Sequence, residues 1–258
     1  MAETVADGAF EGVRVVELAQ WVFVPVAGAL LADWGADVVH IEPTEGDPYR
    51  GLATQGIGTE KGGVNMSLAL ANRGKRSLAL NIRSEEGRAV LHRLLESADV
   101  FLTNMRPKAL RRLGLDAEEV TGRYPRLIYA RGSGYGVRGP DADQAGYDAT
   151  AFWSRGGLAH MLTPPERDYP IGQRGAMGDR NGAMALAFGI SAALLKRTRT
   201  GTGSVVDVSL LAMAMWTLSS DILAALGGDE PKASGGRGPL VNPVTASYRT
   251  KDGRHIQL

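Results

Sequence analysis

At 258 residues and 27.4 kDa the chain has the length of one large domain, or of one domain and a fragment. Twenty-nine Lys and Arg against 28 Asp and Glu leave a formal net charge of +1, which gives no overall basic footprint for nucleic acid or an anionic membrane. The absence of cysteine removes disulfides, thiolate metal ligands and a Cys nucleophile, while 44% hydrophobic and 22% charged residues are globular values.

In chain order, MAETVADGAF lacks the cationic start and apolar stretch of a secretory signal. VRVVEL (residues 13–18) reads as a strand, PVAGALLADW (25–34) as a helix ended by Gly35, and DVVHIE (Asp37–Glu42) as the next strand. SLALNI (77–82) follows, and Ser84 is placed to cap a helix over 85–98. DVFLTN (99–104), a helix over Pro107–Leu113 and LIYARG (127–132) continue the alternation. Strands separated by helices in this rhythm predict an α/β fold, a parallel sheet with right-handed crossovers and flanking helices.

The second half begins with a long helix over 179–197, apolar almost all round, with Leu186, Ile190 and Leu194 on one stripe. Its most apolar run, 183–195, is too short for the roughly 20 residues of a membrane span, so a cytoplasmic protein with no membrane partner is expected. SVVDVSL (204–210) is a short strand before a second apolar helix over 211–226. GGDEPKASGGRGP has the composition of a linker, and ASYRTKDGRHIQL reads as a hairpin turning at Asp252-Gly253. The organisation expected is a large domain over 1–226, a linker over 227–243 and the start of a second unit over 244–258.

Gly134-x-Gly136-x-x-Gly139 follows a strand, but Pro140 and acidic residues come next where a dinucleotide site needs a helix. A glycine-lined loop at a strand's carboxyl end is the reading that remains. Lys75-Arg76 and the group Arg106, Lys108, Arg111, Arg112 flank predicted strands; they are either solvated faces or cations for a phosphorylated ligand. His40, His92, His160 and His255 have no metal-binding spacing, and no Gly-x-Ser-x-Gly elbow occurs. Asp179, in GAMGDRNGAMALAFGI, sits at the start of the long helix. It is an N-cap on one reading. On the other it is a carboxylate kept ionised by helix amides and partly desolvated by the apolar helix behind it, and so a nucleophile.

Seven segments in order, GVRVVELAQWVFVPVAGALLADWGADVVHIEPTEGDPYR, NRGKRSLALNIRSEEG, DVFLTNMRPKALRRLGL, GSGYGVRGP, AGYDATAFWSRGGL, GAMGDRNGAMALAFGISAALLKRTRTGTGSVVDVSLL and YRTKDGRHIQL, together resemble the family III CoA-transferases. That group includes the formyl-CoA transferases and the α-methylacyl-CoA racemases. The resemblance implies a Rossmann-like large domain, a small second domain and subunits interlocked as a ring-like dimer. It implies that Asp179 attacks an acyl-CoA thioester, forming a mixed anhydride and then an aspartyl-CoA thioester that a free carboxylic acid resolves. Coenzyme A enters as part of the substrate, with no metal and no tightly bound cofactor. By the same likeness Lys75, Arg76, Asn104, Met105 and Arg112, with the Gly134 and Gly136 loop, line the CoA site. Tyr147, Asp148, Gly235 and Gly236 are expected at the acyl group.

The racemases carry a histidine where Tyr147 stands, and a phenol with an ordinary pKa near 10 is a poor base at neutral pH. Transfer is therefore favoured over racemisation. Val24 precedes Pro25 where the family has Gly, and Val22 replaces a glutamine of the formyl-CoA transferases, which argues against oxalate or formate. Relatives are longer, which leaves a truncated chain, half of a split enzyme or a naturally short subunit as readings. The alternatives to a transferase are an acyl-CoA racemase or epimerase and a non-catalytic CoA-binding subunit. The partner expected is a second copy or a family paralogue.

Overall fold

The computed structural model describes residues 8–55, 60–229, 244 and 247–257. The chain runs β1 (Arg14–Leu18), α1 (Phe23–Asp33), β2 (Asp37–Glu42), a 3-10 segment (Pro48–Gln55), the ribbon β3 (Glu60–Lys61) and β4 (Val64–Asn65), α2 (Met66–Asn72) and β5 (Arg76–Ala79). It continues with α3 (Glu85–Glu96), β6 (Val100–Thr103), α4 (Pro107–Leu113), α5 (Ala117–Arg123) and β7 (Ile128–Ser133). After a π-helical segment (Asp148–Arg155) come α6 (Leu158–Leu162), α7 (Met177–Thr200), β8 (Val205–Ser209), α8 (Leu210–Thr217) and α9 (Ser219–Leu226). β9 (Ser247–Arg249) and β10 (His255–Gln257) close the order.

Six strands form one sheet in the order β5-β2-β1-β6-β7-β8, every pair parallel. Numbered among themselves these strands give 3-2-1-4-5-6, the doubly wound arrangement, in which ligands bind beyond the carboxyl ends where the order reverses. Here that point lies between β1 and β6. The alternation of side chains along each strand builds two cores. Val15, Val38, Val100, Leu102 and Ile128 face α1 and α7, while Val16, Ile41, Phe101 and Tyr129 face α3 and its neighbours. Strands buried on both faces explain why they read as near-continuous apolar runs.

Close approach of α7 to α1 depends on small residues. A Cβ on Gly182 would lie 2.6 Å from the Phe23 ring, and one on Gly132 would lie 2.5 Å from Val24 Cγ2. α7 buries Gly178, Gly182, Leu186, Ile190 and Leu194 along one stripe. Its opposite stripe, Met184, Phe188 and Leu195, is exposed in the single chain, so the helix is not buried all round. The helix expected over 211–226 is broken at Leu218 into α8 and α9. α8 buries Leu210 and Ala214 whereas α9 buries nothing, and Thr217 Oγ1 donates back to Met213 O, a side-chain bond that competes with the helix ladder. The expected caps and turns fit better. Ser84 Oγ accepts the Gly87 N–H at 3.0 Å, and β9 and β10 form an antiparallel hairpin whose turn places Gly253 at φ 84.

The first core contains a charge cluster. Glu17, wholly buried, lies under α1 where Gly28 leaves room, since a Cβ there would fall 1.8 Å from Glu17 Oε2. Lys75 donates to Glu17 Oε1 and Oε2 at 2.7 and 2.9 Å, to Pro25 O at 2.7 Å and to Asn72 Oδ1 at 3.1 Å. His40 Nδ1 lies 2.6 Å from Glu17 Oε1. Burial pushes the Lys75 ammonium down and Glu17 opposes it. Lys75→Met strands a buried carboxylate and is expected to lower unfolding stability in urea by about 3–5 kcal/mol. Combining it with Glu17→Gln should recover more than half of that loss. A single-variant change under about 1 kcal/mol would contradict the pairing.

Candidate active site

Helix α7 leads into β8, so in this parallel sheet its first turn lies at the carboxyl edge, the same edge at which α1 begins. Ala176 enters α7 in the left-handed region at φ 57, so Asp179 is its third residue and not its cap. The cap comes from elsewhere. Asp148, which opens the π-helical segment and is 7% exposed, accepts the Gly178 N–H on Oδ1 at 3.0 Å. Gly178 is required there, because a Cβ would lie 2.2 Å from the Phe152 ring and 2.5 Å from Asp148 Oδ1.

With the capping role taken by Asp148, the Asp179 carboxylate accepts no hydrogen bond among the described residues. It is half-buried and pushed up to about 7, first by burial, then by the charge of Asp148, with Arg180 opposing both. Burial also raises Asp148, against the amides of residues 178 and 179 that favour its ionised form. Asp148 Oδ2 is buried without a hydrogen-bond partner. Two carboxyl groups thus share one helix N-terminus. One is fixed by a backbone amide and the other is left free, with an affinity for protons that places it between acid and base at neutral pH.

The loop after β1 forms the neighbouring wall. Asn104 accepts the Gln20 N–H on Oδ1 at 3.1 Å and donates Nδ2 to Gln20 O at 2.6 Å. Thr103 Oγ1 donates to Leu18 O at 2.8 Å. This ties together the two strands at the reversal point. Trp21 follows at φ 70, a conformation that costs a bulky residue about 1–3 kcal/mol. Buried Asp47 holds it there by accepting the Trp21 N–H at 3.1 Å and the Tyr49 N–H at 2.8 Å. The Trp21 ring meets Tyr49 at 6.2 Å between centroids and Tyr147 edge-on at 5.9 Å. Among the described residues only Trp21 and Ala176 have positive φ without being glycine, and they introduce the two helices that frame the site.

The structure brings together Asp179, Asp148 and Tyr147, with Asn104 on the adjoining strand end. Met105 is half-buried against the second core, its N–H on Thr103 Oγ1 at 3.2 Å. Gly134 lies against Gly146 with no room for a side chain, and Gly136, at φ 93, gives its N–H to Ser133 Oγ. No helix follows this loop before residue 148, in keeping with the rejection of a dinucleotide site. Arg112 is exposed on α4, while its neighbour Arg111 pairs with Asp143 at 3.1 Å. Gly235 and Gly236 lie outside the described residues.

Lys75 and Arg76 are elsewhere. They precede and open β5, at the amino edge of the sheet, where Arg76 pairs with Asp37 at 2.7 Å and Lys75 turns inward to Glu17. Lys75 and Arg76 line a cavity of about 300 Å3 together with His40, Arg50, Asn72 and Ser77, and none of Asp148, Asp179 or Trp21 borders it. Val22 and Val24 are buried, Val24 against Gly132. Trp21, Asp47 and Gly178 escaped the sequence reading; of these only Gly178, in Gly-Asp at a helix start, carried a local signal.

The sequence profile of CoA-transferase family III matches residues 10–258. The chain belongs to that family. It is 40% identical, over 96% of its length and 60% of the relative's, to the cinnamoyl-CoA:phenyllactate CoA-transferase of Clostridium sporogenes. It is 38% identical, over 96% and 61%, to the (R)-2-hydroxy-4-methylpentanoate CoA-transferase of Clostridioides difficile. Among solved structures a CAIB/BAIF family protein from Brucella suis superposes with a TM-score of 0.84 at 32% identity, covering 96% of this chain and 65% of that one. The chain spans about three-fifths of the length of these curated relatives. Among the described residues no helix is long and apolar enough to cross a membrane, and no group of three or more His, Asp or Glu is placed to hold a metal ion.

The raised Asp179 has a sign that stability measurements can read. A carboxyl group whose folded pKa exceeds its unfolded value stabilises the fold below the unfolded pKa, and that contribution is lost as pH rises through about 7. Asp179→Asn is therefore expected to flatten the decline in stability between pH 5 and 8. At pH 8 it should be more stable than the parent by about 1–3 kcal/mol, after allowance for partial exposure. Parallel pH profiles for the two proteins would contradict the raised carboxyl.

Proposed function

We propose that the protein is a CoA-transferase that moves CoA from an acyl-CoA donor to a free carboxylic acid, with Asp179 as nucleophile. The observation that carries this reading is the free, half-buried Asp179 carboxylate on a helix start whose amide is capped by Asp148. One Asp179 oxygen attacks the thioester carbonyl, the C–S bond breaks, and CoA thiolate leaves with the electron pair. The thiolate attacks the aspartyl carbonyl of the resulting mixed anhydride, releasing the first carboxylate and leaving an aspartyl-CoA thioester. The acceptor carboxylate attacks that thioester and expels the thiolate, which attacks the acceptor's acyl carbon. The new acyl-CoA leaves and the Asp179 carboxylate is restored, with no net proton transferred. Covalent exchange divides one acyl transfer into steps between species of similar energy.

Asn104 and Met105, at the carboxyl end of β6, and the exposed Arg112 on α4 are assigned to the CoA moiety. Arg76, paired at the opposite edge, and Lys75, committed to Glu17, are assigned to the fold. Tyr147 and Asp148 border the acyl group. The exposed stripe of Met184, Phe188 and Leu195 supports assembly with a second copy or a family paralogue.

A carboxyl group near pKa 7 also suits proton abstraction, which keeps a racemase in view; that activity needs a second base and would exchange the α-proton with solvent deuterium. For the transferase, Asp179→Ala is expected to reduce CoA exchange on the order of 10³-fold or more, because substrate binding alone remains. Undiminished exchange would contradict the assignment. In the parent protein kcat/KM should rise with pH through about 7 as Asp179 ionises. Asp148→Asn, which keeps the acceptor for Gly178 and removes the charge, should move that limb to lower pH. An unmoved limb would contradict the coupling.

A further inference from the structure

Three aromatic rings meet at the carboxyl edge of the sheet, and each keeps exposed surface. Trp21 and Tyr49 are half-buried and Tyr147 is 56% exposed. Exposed apolar residues scattered singly need no explanation, but these are clustered and held. Trp21 occupies a backbone region that favours glycine, fixed by the carboxylate of Asp47, which is 2% exposed and also takes the Tyr49 N–H. Strain of this kind persists where surrounding structure over-determines it, and it gathers at functional sites. Tyr147 closes the cluster edge-on and is followed directly by Asp148, the residue that holds the Asp179 helix.

Resting on the transfer reading above, we propose that Trp21, Tyr49 and Tyr147 form the subsite for the apolar part of the carboxylic acid, and that they select acids bearing an aromatic ring. Rings set edge-on and tilted leave faces and edges against which a further ring packs in offset or T-shaped geometry, a gain beyond the area it buries. Asp47 acts as a positioning residue by holding Trp21 in place. A small or strongly polar acid gains little from such a wall. The rings are the acid's subsite and not a stacking platform for the adenine of CoA; the two assignments differ in what a loss of the Trp21 ring does to different acids.

The test uses the full-length protein with one acyl-CoA donor and two acceptors, 3-phenylpropanoate and propanoate, which share a chain and differ in the ring. Trp21→Gly removes the ring while suiting φ 70, so folding is not burdened; Trp21→Phe keeps a ring. For Trp21→Gly the ratio of kcat/KM for 3-phenylpropanoate over propanoate is expected to fall about tenfold or more, with Trp21→Phe in between. An equal loss for both acids would assign the rings to CoA and overturn the proposal, as would an unchanged ratio with no loss. A parent protein that exchanges CoA with no acid at all would overturn the transfer reading itself, a result seen before any variant is made.

Discussion

The site depends on a backbone amide accepted by a carboxylate from another element. The Gly178 N–H is one of the free donors that every helix leaves at its start, and Asp148 takes it from thirty residues earlier in the chain. Two consequences follow. The π-helical segment is fixed to α7 with Phe152 packed where Gly178 has no side chain. A second carboxylate, Asp179, is set beside the first without a partner, so burial and like charge raise it together. Had Asp179 capped its own helix, the amides would have held it ionised and hydrogen-bonded, with a lower affinity for protons.

The sheet delivers this arrangement to one place. Parallel strands put the beginnings of α1 and α7 at the same edge, where Gly182 lets α7, and Gly132 lets β7, approach Phe23 of α1. At that edge Asn104 ties the loop after β1 to the end of β6, across the point where strand order reverses. Other charges, buried inside the core, have a different task. Lys75, Glu17 and His40 form a cluster inside the core, where removal of one partner leaves a desolvated charge.

Much of this was legible in the sequence. Strand and helix alternation predicts the α/β class because buried parallel strands are apolar runs and crossover helices are patterned, and Ser84 and Asp252-Gly253 announced their cap and turn. The ordered blocks pointed to the family whose profile matches residues 10–258. What the sequence did not carry depended on three-dimensional placement. That Lys75 and Arg76 stand at the amino end of β5 is not written in their adjacency to it. The cap of α7 could not be read because Asp148 is distant in sequence. The apolar helix after β8 broke at Leu218, a tertiary outcome that composition does not encode. Trp21 gave no signal, since nothing in AQWVF announces a positive φ.

Asp148 and Asp179 form one electrostatic pair, a fixed carboxylate beside a free one. Carbon-13 NMR titration of the aspartate carboxyl carbons, assigned through Asp179→Asn, tests it most directly. Asp179 is expected to titrate near 7 in the parent protein and at lower pH in Asp148→Asn. Titration near the ordinary aspartate value of about 3.9 in both proteins would contradict it.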